Sequence, residues 1–340
     1  NANLIQNGIV NENSGDIIVK RNSNALKRLD YTMWSSPVSG PQTMSNFSPL
    51  TNSGRFYEYN SATNYYNPIS GTTTFSKGTG FLIRMPNTDQ LAGSYDGAVT
   101  LTFVGQFIGV PNNGDVSISS QAGQYVAVGN PYPTTVNADA FINENGITEL
   151  YLWRKTNNSA NPSYATYTTA GGTSNSGGES SIIPNGILQV GQGFITKAVS
   201  STLNFSNAMK TNDRQNQILK KAAVERNRIW LNLTGDNDVF SQTLIAYMSN
   251  ATQGIDTGID GKFFSKNGIE IKIAATSSEN NLLVFSTFTE TASNGSCVDL
   301  SITVPAKAWI TAVGKTWHNS VRWVQPLTPL RRSLTPRRKP

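Results

Sequence analysis

The sequence is poor in the residues that carry most acid, base and nucleophile chemistry. Its 340 residues include one cysteine, Cys297, and one histidine, His318. A single cysteine forms no disulfide within the chain, and a zinc site of Cys and His needs about four such ligands. A nucleophile activated by an imidazole would have to rely on His318. Charge is scarce too, at 14% Asp, Glu, Lys and Arg against ~25% in typical soluble domains. Asn, Ser, Thr and Gly fill the deficit; they suit turns and water-facing strands and argue against a helical bundle. Apolar runs are short, as in Leu282 to Phe285, far below the ~18 to 20 residues of a membrane-spanning helix. No basic, apolar and small-residue leader opens the chain, and the start Asn1-Ala2-Asn3 reads as that of a piece of a longer protein. His-Glu-x-x-His, Gly-x-Ser-x-Gly and Gly-x-x-x-x-Gly-Lys-Ser/Thr are all missing.

What is present is apolar enough, at 37%, for more than one folded core. The net charge is +6, but its location matters more than its size. Arg322, Arg331, Arg332, Arg337, Arg338 and Lys339 lie in the last 22 residues, which hold no acid. Removing these six from 27 basic residues leaves 21, equal to the 21 acidic ones. The body is therefore neutral, with scattered cations, and is not expected to track nucleic acid, which demands clustered Lys and Arg.

Short apolar runs alternate with Gly, Asn and Pro, as in Thr100 to Val104, Tyr125 to Val128, Ile229 to Leu233 and Ile269 to Ile273. This pattern predicts an all-β fold. A helix is predicted only over Asp213 to Arg226, where Asp213 precedes Ile218, Leu219 and Ala222 at helical spacing.

A shift of 94 residues superposes Tyr31 on Tyr125, Pro37 on Pro131, Phe47 on Phe141, Tyr57 on Tyr151 and Asn67-Pro68 on Asn161-Pro162, while Tyr59 meets Trp153. A shift of 113 then carries Gly78-Thr-Gly-Phe-Leu-Ile-Arg84 onto Gly191-Gln-Gly-Phe-Ile-Thr-Lys197. The 19 intervening residues fall around Ala170 to Ser181, a Gly- and Ser-rich stretch suited to a surface loop. An internal duplication is expected. The expected organisation is N-terminal strands over 1–26, β unit one over 27–122, β unit two over 123–212 and a linker, helical as above, over 213–227. A sandwich-like β domain over 228–318 and a disordered basic Pro/Arg tail over 319–340 complete it.

Gly-x-Gly-Phe occurs in both units. A phosphate loop must open a helix, whereas strand-like residues follow here, so the glycines are read as a tight turn or bulge leading into a strand. Tyr57, Tyr59, Tyr151 and Trp153 are the candidates for stacking on a sugar ring; the competing reading is that these equivalent pairs fill two related cores. Asp256 and Asp260 are weak calcium candidates, because their spacing departs from the calcium-loop pattern and Asp-Gly is an ordinary turn. No cofactor is called for, and nothing marks the pair of carboxylates a glycosidase needs.

Leu29-Asp-Tyr-Thr-Met-Trp-Ser-Ser-Pro-Val38, Gly54-Arg-Phe-Tyr57, Lys77-Gly-Thr-Gly-Phe-Leu-Ile-Arg84, Val128-Gly-Asn-Pro-Tyr-Pro133, Gln189-Val-Gly-Gln-Gly-Phe194, Arg228-Ile-Trp-Leu-Asn-Leu233 and Gly258-Ile-Asp-Gly261 occur in succession. Together they resemble the C-terminal regions of flavobacterial surface and secreted proteins, cargo of the type 9 secretion system with a type C sorting signal. The resemblance covers about residues 15 to 265; after about Ile271 the family's Gly-Arg-x-Leu-Pro-like segment is missing. It implies a non-catalytic stalk on the outer-membrane surface or outside the cell, with the type 9 translocon as partner and Arg228 to Gly261 opening the sorting domain. Glycans or surface proteins are the further partners this reading admits. The alternative is a carbohydrate-binding module attached to a secreted polysaccharide hydrolase.

Overall fold

The computed structural model describes residues 3–89, 93–94, 100–154, 164–174, 183–212, 227–235, 240–248, 251–252 and 255–262. Beyond these it describes the strands 272–276, 282–283, 285–289, 300–303, 308–314 and 323–327. Among them the fold is all-β apart from two short α-helices and a 3₁₀ turn. The predicted linker helix over 213–226, Cys297 and His318 lie outside the described residues. Among the described residues no helix is long and apolar enough to cross a membrane.

Two compact units are formed, residues 1–157 with 187–216, and residues 158–186 with 217–340. The first unit contains β1 (Ile17–Leu26), β2 (Tyr31–Trp34), α1 (Met44–Phe47), β3 (Phe56–Asn60), β4 (Tyr65–Ile69), β5 (Phe81–Arg84) and β6 (Leu101–Pro111). After these come β7 (Tyr125–Gly129), α2 (Ala138–Asn145), β8 (Leu150–Trp153), β9 (Gly193–Lys197) and β10 (Thr202–Phe205). One sheet has the order β2-β5-β3-β4 and another begins β7-β9-β8, all antiparallel. In both, the last strand of the set slots between the first and the second.

The registers agree residue by residue. Tyr31 faces Arg84 and Trp34 faces Phe81 in one sheet; Tyr125 faces Lys197 and Val128 faces Phe194 in the other. Phe56 faces Ile83 and Tyr57 faces Leu82, as Leu150 faces Thr196 and Tyr151 faces Ile195. These partners differ by the same 94 on one strand and 113 on the other. The helices obey the same offset: Thr43 caps α1 by accepting from the Asn46 N–H at 3.1 Å, and Asn137 caps α2 by accepting from Ala140 at 3.1 Å. Only α2 continues for eight residues, closed by Gly146 at φ 59°, a left-handed conformation suited to glycine.

The two sheets are joined by reciprocal backbone bonds. The Ser35 N–H donates to the Gly191 carbonyl at 3.0 Å, and the Gly129 N–H donates to the Gly78 carbonyl at 2.9 Å. Isolated bridges pair Trp34 with Gln192 and Thr79 with Val128. Each contact is the image of the other under the two offsets, which is the geometry of a two-fold related interface. The Gly-x-Gly turns provide the access. Gly78 and Gly191 take φ of 72° and 74°, and a Cβ on Gly193 would stand 2.5 Å from Met33 Cγ.

Each sheet has its own aromatic core. Phe47 of α1 stacks on Phe107 of β6 at 4.6 Å, and Phe141 of α2 stacks on Phe205 of β10 at 4.4 Å. All four rings are at most 3% exposed. Burying such a side chain contributes ~1.5–3 kcal/mol, and the ring pair adds ~0.5–1.5 kcal/mol.

The second unit is built on a sheet ordered Phe285–Thr289, Phe240–Met248, Asn227–Gly235, Ala308–Gly314 and Trp323–Leu327. Its pairs are antiparallel except for the parallel 240–248 and 285–289 strands. The hairpin Tyr164–Thr168 and Gly171–Thr173, placed by sequence within β unit two, packs here. Thr168 Oγ1 donates to the Ile259 carbonyl at 2.8 Å, the Ser174 N–H to Gln242 Oε1 at 2.9 Å and Trp230 Nε1 to the Gly172 carbonyl at 3.1 Å. The tail expected to be disordered contributes the strand Trp323–Leu327. Its Pro326, opposite Trp309, is accommodated because this is an edge strand, where a missing N–H can face away from the ladder.

Candidate functional site

The equivalent strands β3 and β8 each bring a pair of predicted rings into unit one, and packing uses them differently. Tyr151 is fully buried, and its hydroxyl donates to Glu149 Oε1 at 2.7 Å. Tyr59 is 9% exposed, meets Tyr66 edge-on at 5.2 Å and donates its hydroxyl to Asn64 Oδ1. Tyr66 in turn meets Trp153 at 6.0 Å, also edge-on. Tyr57 and Trp153 are half-buried. The four rings thus form no common platform for sugar stacking: Tyr59 and Tyr151 fill their sheets, as expected of strand aromatics with a large apolar area. Burial pushes the Tyr59 and Tyr151 hydroxyls well above the usual phenol range, and the Glu149 charge adds to the shift at Tyr151.

Around Tyr57 lies a group that the sequence reading did not single out. Tyr31 meets Tyr57 edge-on at 5.8 Å. Arg55 Nη1 donates to the Tyr57 hydroxyl at 3.1 Å. Arg84, the cross-strand partner of Tyr31, is 8% exposed and donates through Nη2 to Asn87 Oδ1. Burial lowers its pKa; the phenols of Tyr31 and Tyr57 oppose the shift, while Arg55 and Arg28 add to it. The Nε atoms of Arg28 and Arg84 are both buried without a hydrogen-bond partner.

The matching place on the other sheet holds the same phenols with different charges. Tyr125 and Tyr151 lie 6.1 Å apart, Glu149 stands where Arg55 stands, and Lys197 replaces Arg84. Lys197 Nζ lies 5.9 Å from the Tyr125 ring centroid. Glu149 is 3% exposed. One cluster thus contains its own carboxylate, and the other sets the guanidinium groups of Arg55 and Arg84 beside two phenols, with the Arg28 charge acting on Arg84. The offset of 94 that aligns β3 with β8 also aligns Arg55 with Glu149, so the charge reversal was readable from the sequence.

Asp256 and Asp260 build a turn. The Asp256 carboxylate accepts from the Thr252 N–H at 2.6 Å and from Thr252 Oγ1 at 2.8 Å, while the Asp256 N–H donates to Asp260 Oδ2 at 2.8 Å. Asp260 is 1% exposed. Both Asp256 oxygens and Asp260 Oδ2 are committed to the chain, and no group of three or more His, Cys, Asp or Glu that could hold a metal occurs among the described residues.

A family model described as a domain of unknown function (DUF8693) matches residues 1–308, and the chain belongs to that family. No curated protein and no solved structure matches the chain.

Proposed function

We propose that the chain is a non-catalytic module of a cell-surface or secreted protein, serving as a stalk and as the export-proximal region of a larger adhesin-like polypeptide read by the type 9 translocon. The reciprocal pairing of the two sheets in unit one supports this reading most strongly. Backbone bonds run from each Gly-x-Gly turn to the first strand of the other sheet, so separating the sheets requires breaking several main-chain bonds together. The large rings are consumed in packing, with Phe47 on Phe107 and Phe141 on Phe205. Descent of both sheets from one duplicated segment accounts for their common order, register and cap positions. The export role rests on the run of motifs ending at Gly258-Ile-Asp-Gly261.

Fusing residues 215–340 to a fluorescent reporter in a flavobacterium tests the export role. The fusion is expected in the medium or on the surface, and retention in the periplasm rejects it. The carbohydrate-binding alternative keeps Tyr57 and Trp153 as the partly exposed members of its four rings. Silence of the chain on an array of neutral plant, algal and chitin glycans is the result expected of a stalk.

A further inference from the structure

Equivalent clusters on two sheets of one register allow a comparison that a single site would not. In the β7-β9-β8 sheet the phenols Tyr125 and Tyr151 surround a resident carboxylate, with Tyr151 donating to Glu149 at 2.7 Å and Lys197 supplying the cation. In the β2-β5-β3-β4 sheet Tyr31 and Tyr57 keep their places, Arg84 replaces the lysine and Arg55 replaces the acid. Arg28 adds a third positive charge from the turn between β1 and β2. Like charges at close range repel, and a buried guanidinium with an unmatched N–H is costly. Arg84 is more than nine-tenths buried, yet its Nε has no partner, and the buried Nε of the half-buried Arg28 lacks one too. A guanidinium fork matches a carboxylate in plane and spacing, so an oxyanion satisfies such donors in pairs.

The geometry points to a binding site for a carboxylate-bearing sugar, a hexuronate residue of an acidic glycan, held by Arg55 and Arg84 beside Tyr31 and Tyr57, with Arg28 adding positive charge to the field. The ligand carboxylate takes the role that Glu149 plays on the other sheet. The half-buried Tyr31 and Tyr57 offer the C–H face of the pyranose an aromatic wall, an apolar contact that an acidic peptide side chain does not make. This site does not depend on the stalk reading; a module of any parent protein would have it.

Calorimetric titration of the full chain with trigalacturonate at low and moderate salt tests the assignment, with maltotriose and hexaglutamate as comparison ligands. Trigalacturonate is expected to bind, to weaken as salt rises, and to bind at least tenfold more tightly than either comparison ligand. Arg55→Glu, which copies the resident acid of the other sheet into this one, is expected to weaken binding at least tenfold. Arg28→Gln should weaken it severalfold. Both positions are at the surface or half-buried, and an unchanged thermal midpoint shows that each variant is folded. No binding of trigalacturonate, equal binding of maltotriose or hexaglutamate, or full binding by the folded Arg55→Glu variant would each overturn the site.

Discussion

At the scale of single residues, the contact between the two sheets leaves no room for side chains. A Cβ on Gly129 would lie 2.3 Å from Ser35 Cβ and 2.9 Å from the Gln192 carbonyl oxygen. Gly129→Ala is therefore predicted to lower stability by ~1–3 kcal/mol, as overpacking does. Ser35→Gly should restore part of the loss, since it removes the first clash and leaves the second. Urea denaturation of the two single variants and the double variant measures this coupling.

Lys210 sets a pH dependence. Its Nζ lies 4.2 Å from the Tyr132 ring centroid and donates to Asn113 Oδ1. Burial lowers its pKa to about 8, with Asp115 opposing. Between that value and the ordinary 10.5, the unfolded chain holds a proton the folded chain has released, so stability rises with pH across this window. Above about 10, the buried phenols Tyr59, Tyr132 and Tyr151 reverse the sign, because the folded state keeps protons that the unfolded chain loses. Thermal midpoints from pH 7 to 11 should rise and then fall, and Lys210→Met should flatten the rise.

At the scale of elements, much of unit one was legible because strands advertise themselves by alternation and turns by glycine. The offsets of 94 and 113 found in the sequence are those by which β2 and β7, and β5 and β9, take the same register. Asn137 carried a cap signal that was not read, since the apolar residues of α2 are few and its eight residues are too short for a strong helical period. Asn137→Ala is predicted to cost ~0.5–2 kcal/mol, and Thr43→Ala a similar amount, both by urea denaturation. The pairing of the Tyr164–Thr168 hairpin with unit two could not be read from the sequence. Its anchors, Thr168 on Ile259 and Ser174 on Gln242, join positions 68 or more residues apart, and no local pattern encodes such a contact. At the candidate site the aromatic positions were visible but their burial was not. Alternation places Tyr57 and Tyr59 on one face, whereas Tyr66 from β4 decides that only Tyr59 is covered.

At the scale of the molecule, the reciprocal seam makes a claim about cooperativity. Two sheets with separate aromatic cores could melt separately, as weakly joined domains do. Here the β2-β5-β3-β4 sheet gives Gly78 as acceptor to the other sheet and receives the Gly191 carbonyl in return. Loss of one sheet leaves backbone donors of the other without partners at a buried contact, where Ser35 is fully buried, and each such group costs ~1–3 kcal/mol. Unit one should then unfold as one body. Phe47→Ala and Phe141→Ala remove a ring from different cores, and each is predicted to lower stability by ~3–5 kcal/mol. In a cooperative unit both shift the same transition, with the denaturant slope of that transition unchanged. Hydrogen exchange followed by mass spectrometry resolves the two sheets. Phe47→Ala should speed exchange in β7 and β9 as much as in β2 and β5; acceleration confined to the mutated sheet would show that the seam does not couple them.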